Sequence, residues 1–492
     1  MKYLSTAILK VTLILCFTGI AFAQDQCYTC HQALGDKPAT MYKKDIHFAK
    51  GISCASCHGG DSKKEEMEAA MDPATGFKGV PTGDEVSKTC ATCHADAEKM
   101  KTLGSTLPTT QWEHLQSSVH GKLSVSGKEN IVQCTTCHSV HDIVSVKNPT
   151  SPVYPLNAVK TCTKCHADAS FMKTYNPSLP VDQFEKYRTS VHGTLNGKGD
   201  PKAAECASCH GSHDIRSAKD AKSKVYAANL PATCSSCHSD AEYMKGYNIP
   251  TDQHANFSKS VHGIALLEKH DIAAPACNDC HGNHGAMPPG VESISKVCGT
   301  CHALNADLFS SSPHKKAFDE RKLPECETCH GNHDISPASK SLLGVSNDAV
   351  CSKCHSEQEN PKGFTVARMM RTMIDSLETL EQTASGLIDE AEQKGMEVSE
   401  SKFKLRDAHQ ARLQSRTAVH SFNEEKFREV VTKGLTVAHE VGTEGKAAVD
   451  EFYFRRWGLG VATLIITIVG ISLYLMIRRI ERRQSLSKTK TQ

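Results

Sequence analysis

Apolar segments lie near both ends of this chain. An apolar run from Val11 to Phe22 follows a basic start and ends in small residues around Ala23. This pattern is typical of a secretory signal peptide over residues 1 to 23, with the mature chain starting at Gln24. Near the other end, residues 457 to 477 carry no charge, and a segment of that length crosses a bilayer as one helix.

The charges that flank the second apolar segment predict its orientation. Six basic residues follow it: Arg478, Arg479, Arg482, Arg483, Lys488 and Lys490. Basic residues concentrate on the cytoplasmic side of membrane proteins, so residues 478 to 492 form a cytoplasmic tail. The signal peptide requires the same orientation. We therefore expect a single-pass protein of the cytoplasmic (inner) membrane that contacts the lipid bilayer, with its larger part in the periplasm or outside the cell.

Residues 356 to 456 show the pattern of an amphipathic helical domain or stalk. Residues 363 to 456 contain neither Pro nor Cys, and five apolar side chains recur at helical spacing on one face. They are Val366, Met370, Met373, Leu377 and Leu380. The preceding part, residues 24 to 355, has a different character and forms a second predicted domain.

Composition excludes one class of partner and points to bound cofactors. Lys and Arg total 57 against 55 Asp and Glu, a formal net charge of +2, so the chain lacks the basic excess of a nucleic-acid-binding protein. The 23 cysteines and 26 histidines are far more than an ordinary soluble enzyme contains.

Apart from Cys16 in the signal peptide, every cysteine falls in a Cys-x-x-Cys-His motif. There are eleven such motifs, and their cysteines and histidines are Cys27, Cys30 and His31; Cys54, Cys57 and His58; Cys90, Cys93 and His94; Cys134, Cys137 and His138; Cys162, Cys165 and His166; Cys206, Cys209 and His210; Cys234, Cys237 and His238; Cys277, Cys280 and His281; Cys298, Cys301 and His302; Cys326, Cys329 and His330; and Cys351, Cys354 and His355.

The spacing of these motifs suits covalent haem. Two thiols three residues apart form thioethers to the two vinyl groups of one haem, and the adjacent histidine is then the proximal iron ligand. Zinc is an alternative, but it requires closed sets of four ligands and leaves the repeated histidines without a role. Disulfides suit an exported chain, yet they also leave the histidines unexplained. We therefore predict eleven covalently attached haem c groups.

The motifs belong to a repeat that contains two of them. Cys90, Cys162 and Cys234 are 72 residues apart, as are Cys134 and Cys206. Motif A is the motif that begins at Cys27, Cys90, Cys162, Cys234, Cys298 or Cys351. Motif B is the motif that begins at Cys54, Cys134, Cys206, Cys277 or Cys326. The chain thus holds five two-haem units and one further motif.

Two sets of histidines recur with the repeat. An amphipathic helix that ends in Ser-Val-His-Gly or a divergent version of it carries the helix-borne histidines His47, His120, His192, His262 and His314. A short turn after motif B carries the turn histidines His141, His213, His284 and His333.

Both sets are candidates for the distal iron ligands. We expect each helix-borne histidine to face the motif B that follows it, and each turn histidine to face a neighbouring motif A. Two motif A haems then lack a ligand from the repeat. The candidate distal ligands for the haem of His31 or His355 are His409, His420 and His439. The alternative is that residues 363 to 456 form a plain amphipathic stalk that contributes no ligand. His114, His254 and His270 are interpreted as surface or packing residues.

With its paired motifs, the Ser-Val-His-Gly helix and the Cys-His-Gly-x-His turn, the stretch from residue 27 to 355 resembles the multihaem c-type cytochromes with doubled Cys-x-x-Cys-His motifs. That superfamily includes tetrahaem class III cytochromes and the octahaem and hydroxylamine-oxidoreductase relatives. The resemblance implies bis-histidine haems packed as an electron relay. Relatives with a helical tail and a membrane span are often coupled to a quinol-oxidising partner.

The expected fold is mainly α with much irregular structure, organised around covalently bound haems, followed by a helical segment and one transmembrane helix. The expected function is electron transfer in anaerobic respiration, with the haem of His355 on the entry side. The partners would be an integral membrane quinol-oxidising or cytochrome b subunit, and periplasmic or outer-membrane redox proteins. The alternative is a terminal reductase of a nitrogen or sulfur oxyanion with one five-coordinate haem, at His31 or His355. No other catalytic residue is predicted.

Overall fold

The structure, a computed structural model, describes residues 25–290 and 293–488. The predicted signal peptide, Cys16 within it and the last residues of the predicted cytoplasmic tail lie outside these ranges. The chain divides into two compact bodies. The first body comprises Met1–His254 and Ala265–Pro288, and the second comprises Ala255–Ile264 and Pro289–Gln492. The predicted domain boundaries stay a prediction.

The predicted fold class is confirmed, since the described residues form helices joined by irregular loops and contain no β-strand. The helices in chain order are α1 (Gln26–Ala33), α2 (Lys37–Tyr42), α3 (Ile46–Ala49), α4 (Ala55–His58), α5 (Met67–Ala70), α6 (Asp84–His94), α7 (Ala97–Thr102), α8 (Gln111–Ser117), α9 (Cys134–His138), α10 (Pro155–His166), α11 (Ala169–Tyr175), α12 (Gln183–Thr189), α13 (Val191–Gly197), α14 (Cys206–His210), α15 (Leu230–His238), α16 (Gln253–Lys259), α17 (Val261–Gly263), α18 (Cys277–His281), α19 (Ile294–Gly299), α20 (Ala303–Ser310), α21 (Pro313–Arg321), α22 (Glu325–His330), α23 (Pro361–Gln393), α24 (Ser399–Ala418) and α25 (Glu424–Lys488).

The two motif types occupy different kinds of helix. In the three central units, motif A forms the last turn of a longer helix, as in α6, α10 and α15. Motif B forms a five-residue helix of its own in α9, α14 and α18. A helical turn places residues three and four apart on one face. Both cysteines and the histidine of each of these motifs therefore point to the same side.

The residue after motif B has a backbone conformation that strongly favours glycine. Gly59, Gly211, Gly282 and Gly331 have φ angles of 73°, 82°, 82° and 78°, and ψ lies near ±180° in each. Ser139 occupies the same position in the second unit with φ 68° and ψ −171°. A side chain in this region costs roughly 1–3 kcal/mol.

The Ser-Val-His-Gly sequence has a steric explanation. The buried Ser190 hydroxyl caps α13 by accepting a hydrogen bond of 2.9 Å from the Gly193 amide. A Cβ at Gly193 would lie 1.9 Å from the carbonyl oxygen of Tyr187 in the preceding helix. Gly121 and Gly263 stand equally close to the helices before them. The serine fixes the start of the segment, and the glycine permits its contact with that helix.

Helices α23, α24 and α25 pack as a three-helix bundle, which we call the stalk, over residues 361 to 456. Two clusters of buried apolar side chains hold it together, one around Leu377 and Phe427 and one around Ile388 and Val441. The predicted apolar face of α23 is confirmed, since Met370 and Leu377 are buried and the other three side chains pack against them. Gly434 lets α25 lie close to α24, because a Cβ atom at Gly434 would be 2.7 Å from the Cβ atom of Ala411.

Helix α25 continues from the stalk through the predicted membrane segment. Among the described residues it is the one helix long and apolar enough to span a bilayer. Its apolar side chains are exposed, for example Trp457 at 71% and Ile466 at 69%. This is consistent with single-pass anchoring in a membrane.

We predict that Ser139→Gly stabilises the folded protein by about 1 kcal/mol. The change removes the unfavourable φ angle, worth roughly 1–3 kcal/mol, and loses the hydrogen bond from the Ser139 hydroxyl to Asp142, worth about 1 kcal/mol. Guanidinium unfolding of the haem-loaded protein measures the difference. The control is Ser170→Gly within α11, which should destabilise by about 0.5–1 kcal/mol. Equal effects at both positions would contradict the strain at Ser139.

We also predict that Gly193→Ala destabilises the protein by about 3 kcal/mol, because the new methyl group meets a backbone carbonyl that cannot move freely. Gly197→Ala is a matched control in the same helix, where a Cβ would meet no atom within 4 Å. Gly197→Ala should stabilise the folded protein by about 0.5 kcal/mol, because alanine has a higher helix propensity than glycine. The same unfolding measurement checks both, and a neutral Gly193→Ala would refute the steric explanation.

Candidate haem-binding sites

Nine motif histidines each face a second histidine across a gap of nearly constant width. The distances between ring centres range from 5.8 to 6.3 Å. The pairs are His47 and His94, His58 and His141, His120 and His166, His138 and His213, His192 and His238, His210 and His284, His262 and His302, His314 and His355, and His330 and His420.

This gap fits one iron atom held by two imidazoles. A metal–imidazole bond is about 2 Å long and the ring centre lies about 1 Å beyond the nitrogen, so two axial histidines have ring centres about 6 Å apart. Direct ring contact would bring them closer. Each pair stands beside the two cysteines of one motif. The residues present therefore fit a covalently attached haem with two axial histidines.

Burial keeps these imidazoles in the form that binds metal. Burial lowers the pKa of His120 to about 4, with His166 as a second cause. It also lowers the pKa of His314 to about 4, with a further contribution from His355. Most of the other paired histidines shift in the same direction. At neutral pH these rings are uncharged, which ligation requires.

The predicted partners of the helix-borne histidines are wrong. His47, His120, His192, His262 and His314 each face the histidine of the next motif A, not that of the following motif B. The reason lies in a repeated backbone hydrogen bond between units. The Val119 amide donates to the carbonyl of Ile215 at 2.8 Å, and the Val191 amide donates to that of Ala286 at 3.1 Å. Each helix-borne segment thus lies against the next unit.

The predicted partners of the turn histidines are also wrong. His141, His213 and His284 each face the histidine of motif B in the preceding unit, not a motif A histidine. The turn of His333 makes the same kind of backbone bond, from the Val261 amide to the carbonyl of Ile335 at 2.9 Å. The role of His333 as a ligand stays a prediction.

Within one unit, the first cysteines of the two motifs lie in contact. The Cys90 thiol hydrogen bonds to Cys134, which raises the pKa of Cys90 and lowers that of Cys134 to about 6. Three further units repeat this contact, in Cys162 with Cys206, Cys234 with Cys277, and Cys298 with Cys326. The two haem sites of such a unit are therefore immediate neighbours.

Cysteines of consecutive motifs also lie within electrostatic range of one another. The pKa of the second cysteine of motif B is raised mainly by burial, and next by the first cysteine of the following motif A. The pairs are Cys137 with Cys162, Cys209 with Cys234, and Cys329 with Cys351. Within each body, these successive haem sites are thus close neighbours.

The stalk supplies one partner that was only a candidate from sequence. His420, in the turn between α24 and α25, faces His330 at 6.1 Å. The expectation that such a histidine would face His355 or His31 is wrong, because the helix-borne His314 already faces His355. His409 instead contacts Glu381 at 2.8 Å on the surface, and His439 is exposed.

Sequence reasoning missed two residues that hold these sites in place. The Phe422 ring lies 3.8 Å from the ring of His314, and no repeat or motif marks it. Asp45 is buried and its carboxylate contacts the ring of His47 at 2.8 Å. Asp45 could have been found, since it takes the place of the capping serine in the other units.

His31 differs from the nine paired motif histidines. Its side chain is 51% exposed, and its Nδ1 lies 2.5 Å from a carboxylate oxygen of Asp36. Among the described residues, no second histidine ring contacts it. His281 has its Nδ1 3.2 Å from the carbonyl of Met287.

The geometry disfavours the two other uses of cysteine. The 22 cysteines of the motifs form no disulfides in the described chain. In those same ranges, no three His, Cys, Asp or Glu side chains converge to hold a single metal ion. Zinc would require such a cluster.

Comparison with known proteins supports the haem assignment. The profile of the family described as cytochrome c3 matches residues 46–167, that of the doubled CXXCH motif matches residues 316–360, and that of cytochrome c554 and c-prime matches residues 18–59. The C-type polyheme cytochrome OmcC of Geobacter sulfurreducens is 26% identical over 129 residues, which are 25% of this chain and 15% of that protein. No solved structure matches the chain.

The chain therefore spans only a small part of that relative's length. The motifs, the paired rings and the three matching profiles nevertheless agree on one assignment, which is that this chain is a multihaem c-type cytochrome.

Proposed function

We propose that this protein carries electrons through eleven haem c groups between a membrane quinol-linked donor and periplasmic or outer-membrane acceptors in anaerobic respiration. The observation that carries the proposal is the set of nine histidine pairs about 6 Å apart. An iron held by both histidines of such a pair would have no free position for substrate, which suits electron transfer. Haem supplies a reversible one-electron centre whose potential depends on its ligands and surroundings.

The arrangement of the chain's own residues supports conduction along the series. The Cys90 thiol hydrogen bonds to Cys134, and Cys162 lies close enough to Cys137 to raise the pKa of Cys137, so neighbouring sites are close together. Seven of the nine paired sites combine residues of two units, so the fold fixes the spacing between those haems. Electron transfer between centres requires this closeness, and a rigid spacing keeps it from varying.

The topology and the partners belong to the proposal. The exposed apolar part of α25 anchors the protein in the inner membrane, with residues 478 to 492 in the cytoplasm and the haem sites in the periplasm or outside the cell. Arg478 and Arg479 favour the cytoplasmic side. Tyr453 and Trp457 at the outer end and Tyr474 near the inner end suit the two interfaces of a bilayer. An integral quinol-oxidising or cytochrome b subunit is the proposed membrane partner.

A second candidate function is reduction of a nitrogen or sulfur oxyanion at an open haem. His31 favours it, because its ring faces a carboxylate instead of a second histidine. A carboxylate on the far nitrogen of a ligating histidine orients the ring and raises its basicity. His355, the other residue considered for an open site, already faces His314.

Haem counting and spectroscopy of the full chain test both functions. We expect the mass of the mature protein to correspond to cleavage before Gln24 and to eleven haems, all reducible by a soluble reductant. Electron paramagnetic resonance should show predominantly low-spin ferric haem. A mass with fewer haems, or with zinc, would contradict the electron relay. A high-spin signal of one haem per chain that disappears on adding a small anion would favour the reductase, whereas its absence would exclude an open iron.

We predict that His420→Ala produces one additional high-spin haem per chain, because it removes the imidazole opposite His330. The reduced variant should bind one more carbon monoxide per chain than the unchanged protein. His409→Ala is the matched control, since His409 belongs to the same stalk but its ring contacts Glu381 and Arg412 instead of a second histidine. It should leave the spectrum unchanged. Identical spectra for the two variants would rule out ligation by His420.

A further inference from the structure

The length of the stalk limits how electrons can reach the haem sites of the second body from the membrane. Helix α25 is continuous from Glu424 to Lys488. With a rise of about 1.5 Å per residue, the stretch from Glu424 to Trp457, where the apolar segment begins, is about 50 Å long. This stretch belongs to the buried core of the bundle over most of its length, with Phe427, Val431, Ala438, Val441 and Val449 inside.

Contacts along the bundle fix which end faces the membrane. At one end, Phe427 packs in the same cluster as Met370 and Val419. At the other, the Lys394 ammonium group, just after α23, lies 5.2 Å from the ring centre of Tyr453. Helix α23 therefore begins at the end remote from the apolar segment and runs toward it. Helix α24 returns to the remote end.

The haem sites of the second body contact the remote end. His420 and Phe422 lie in the turn between α24 and α25 and face His330 and His314. A Cβ at Gly363, in the first turn of α23, would lie 2.1 Å from Nδ1 of His355. The sites of His330 and His355 are therefore held at the top of the stalk.

The stalk offers no redox centre of its own over this distance. Residues 356 to 456 contain no cysteine, so no haem can attach there. Its other histidines do not pair with a second ring, since His409 contacts Glu381 and His439 is exposed. Electron tunnelling through protein decays exponentially with distance. At about 50 Å it is far too slow to support respiration.

We infer that the stalk is a spacer, and that the haem sites at its top exchange electrons with a redox protein or domain that carries its own cofactor well outside the membrane. This inference rests on the proposed function and specifies its partner. A membrane subunit whose cofactors end at the bilayer surface cannot serve the His355 end directly. Its electrons need an intermediate carrier, or a domain that extends alongside the stalk.

Fluorescence quenching in the full, haem-loaded chain measures the height of the haem sites. A small fluorophore is placed on exposed Glu425 at the top of the stalk or on exposed Arg456 at its base, by a non-natural amino acid in each case. Haem quenches nearby fluorophores by energy transfer. We expect the label at the base to be at least several-fold brighter than the label at the top. Equal, nearly complete quenching at both positions would show haem close to the membrane and overturn the inference.

Reduction in liposomes tests the partner. The full chain is reconstituted into vesicles whose bilayer contains a reduced quinol, and haem reduction is followed optically. We expect the quinol alone to reduce no more haem than quinol-free vesicles do, while a soluble low-potential haem protein added outside reduces the chain rapidly. Rapid reduction by the quinol alone would overturn the inference and leave the relay intact. Haem that no donor can reduce would instead contradict the proposed electron relay.

Discussion

The pairing of histidines from two different units at one haem site is the constraint on which the haem-binding part depends. His120 is supplied by one unit and His166 by the next, and their rings lie 6.0 Å apart. His213 and His138 join the same neighbours in the opposite direction. Three pairs of adjacent units are thus each held together by two such bridges. A unit that lost its haems would lose its main link to both neighbours, so we expect folding to depend on haem attachment, as it depends on metal in small metal-binding domains.

The distribution of buried side chains agrees with this dependence. The two hydrophobic clusters among the described residues both lie in the stalk. In the haem-binding part, buried side chains such as Met100, Met172 and Leu266 are dispersed along the chain. The stalk is stabilised by burial of apolar surface in the ordinary way. The rest relies on the apolar faces of its porphyrins and on their covalent attachment.

The sequence was sufficient for the parts that follow from local spacing. The motifs, the 72-residue repeat and the apolar face of α23 depend on residues close together in the chain, and both sets of recurring histidines do meet motif histidines. The direction of pairing depends on where a loop returns. The bond between Val119 and Ile215 that decides it joins distant residues, and no periodicity predicts it. The choice of His420 over His409 likewise depends on a turn geometry with Phe422 at φ 46°.

The relative orientation of the paired rings indicates that the stalk is part of the haem array. The three pairs formed by turn histidines with motif B are nearly parallel, at 14° to 17°. The pairs formed by helix-borne histidines with motif A are more varied, from 27° to 87°. His420 comes from a different element, yet its ring makes an angle of 17° with that of His330, a motif B histidine. The stalk therefore reproduces, at the last motif B, the geometry that a following repeat unit provides elsewhere. An appended anchor would have no reason to do so, because a membrane helix can be joined to a domain by any linker. A movement of the stalk at His420 would instead change the distance between the rings of His420 and His330, and so would alter one particular haem site.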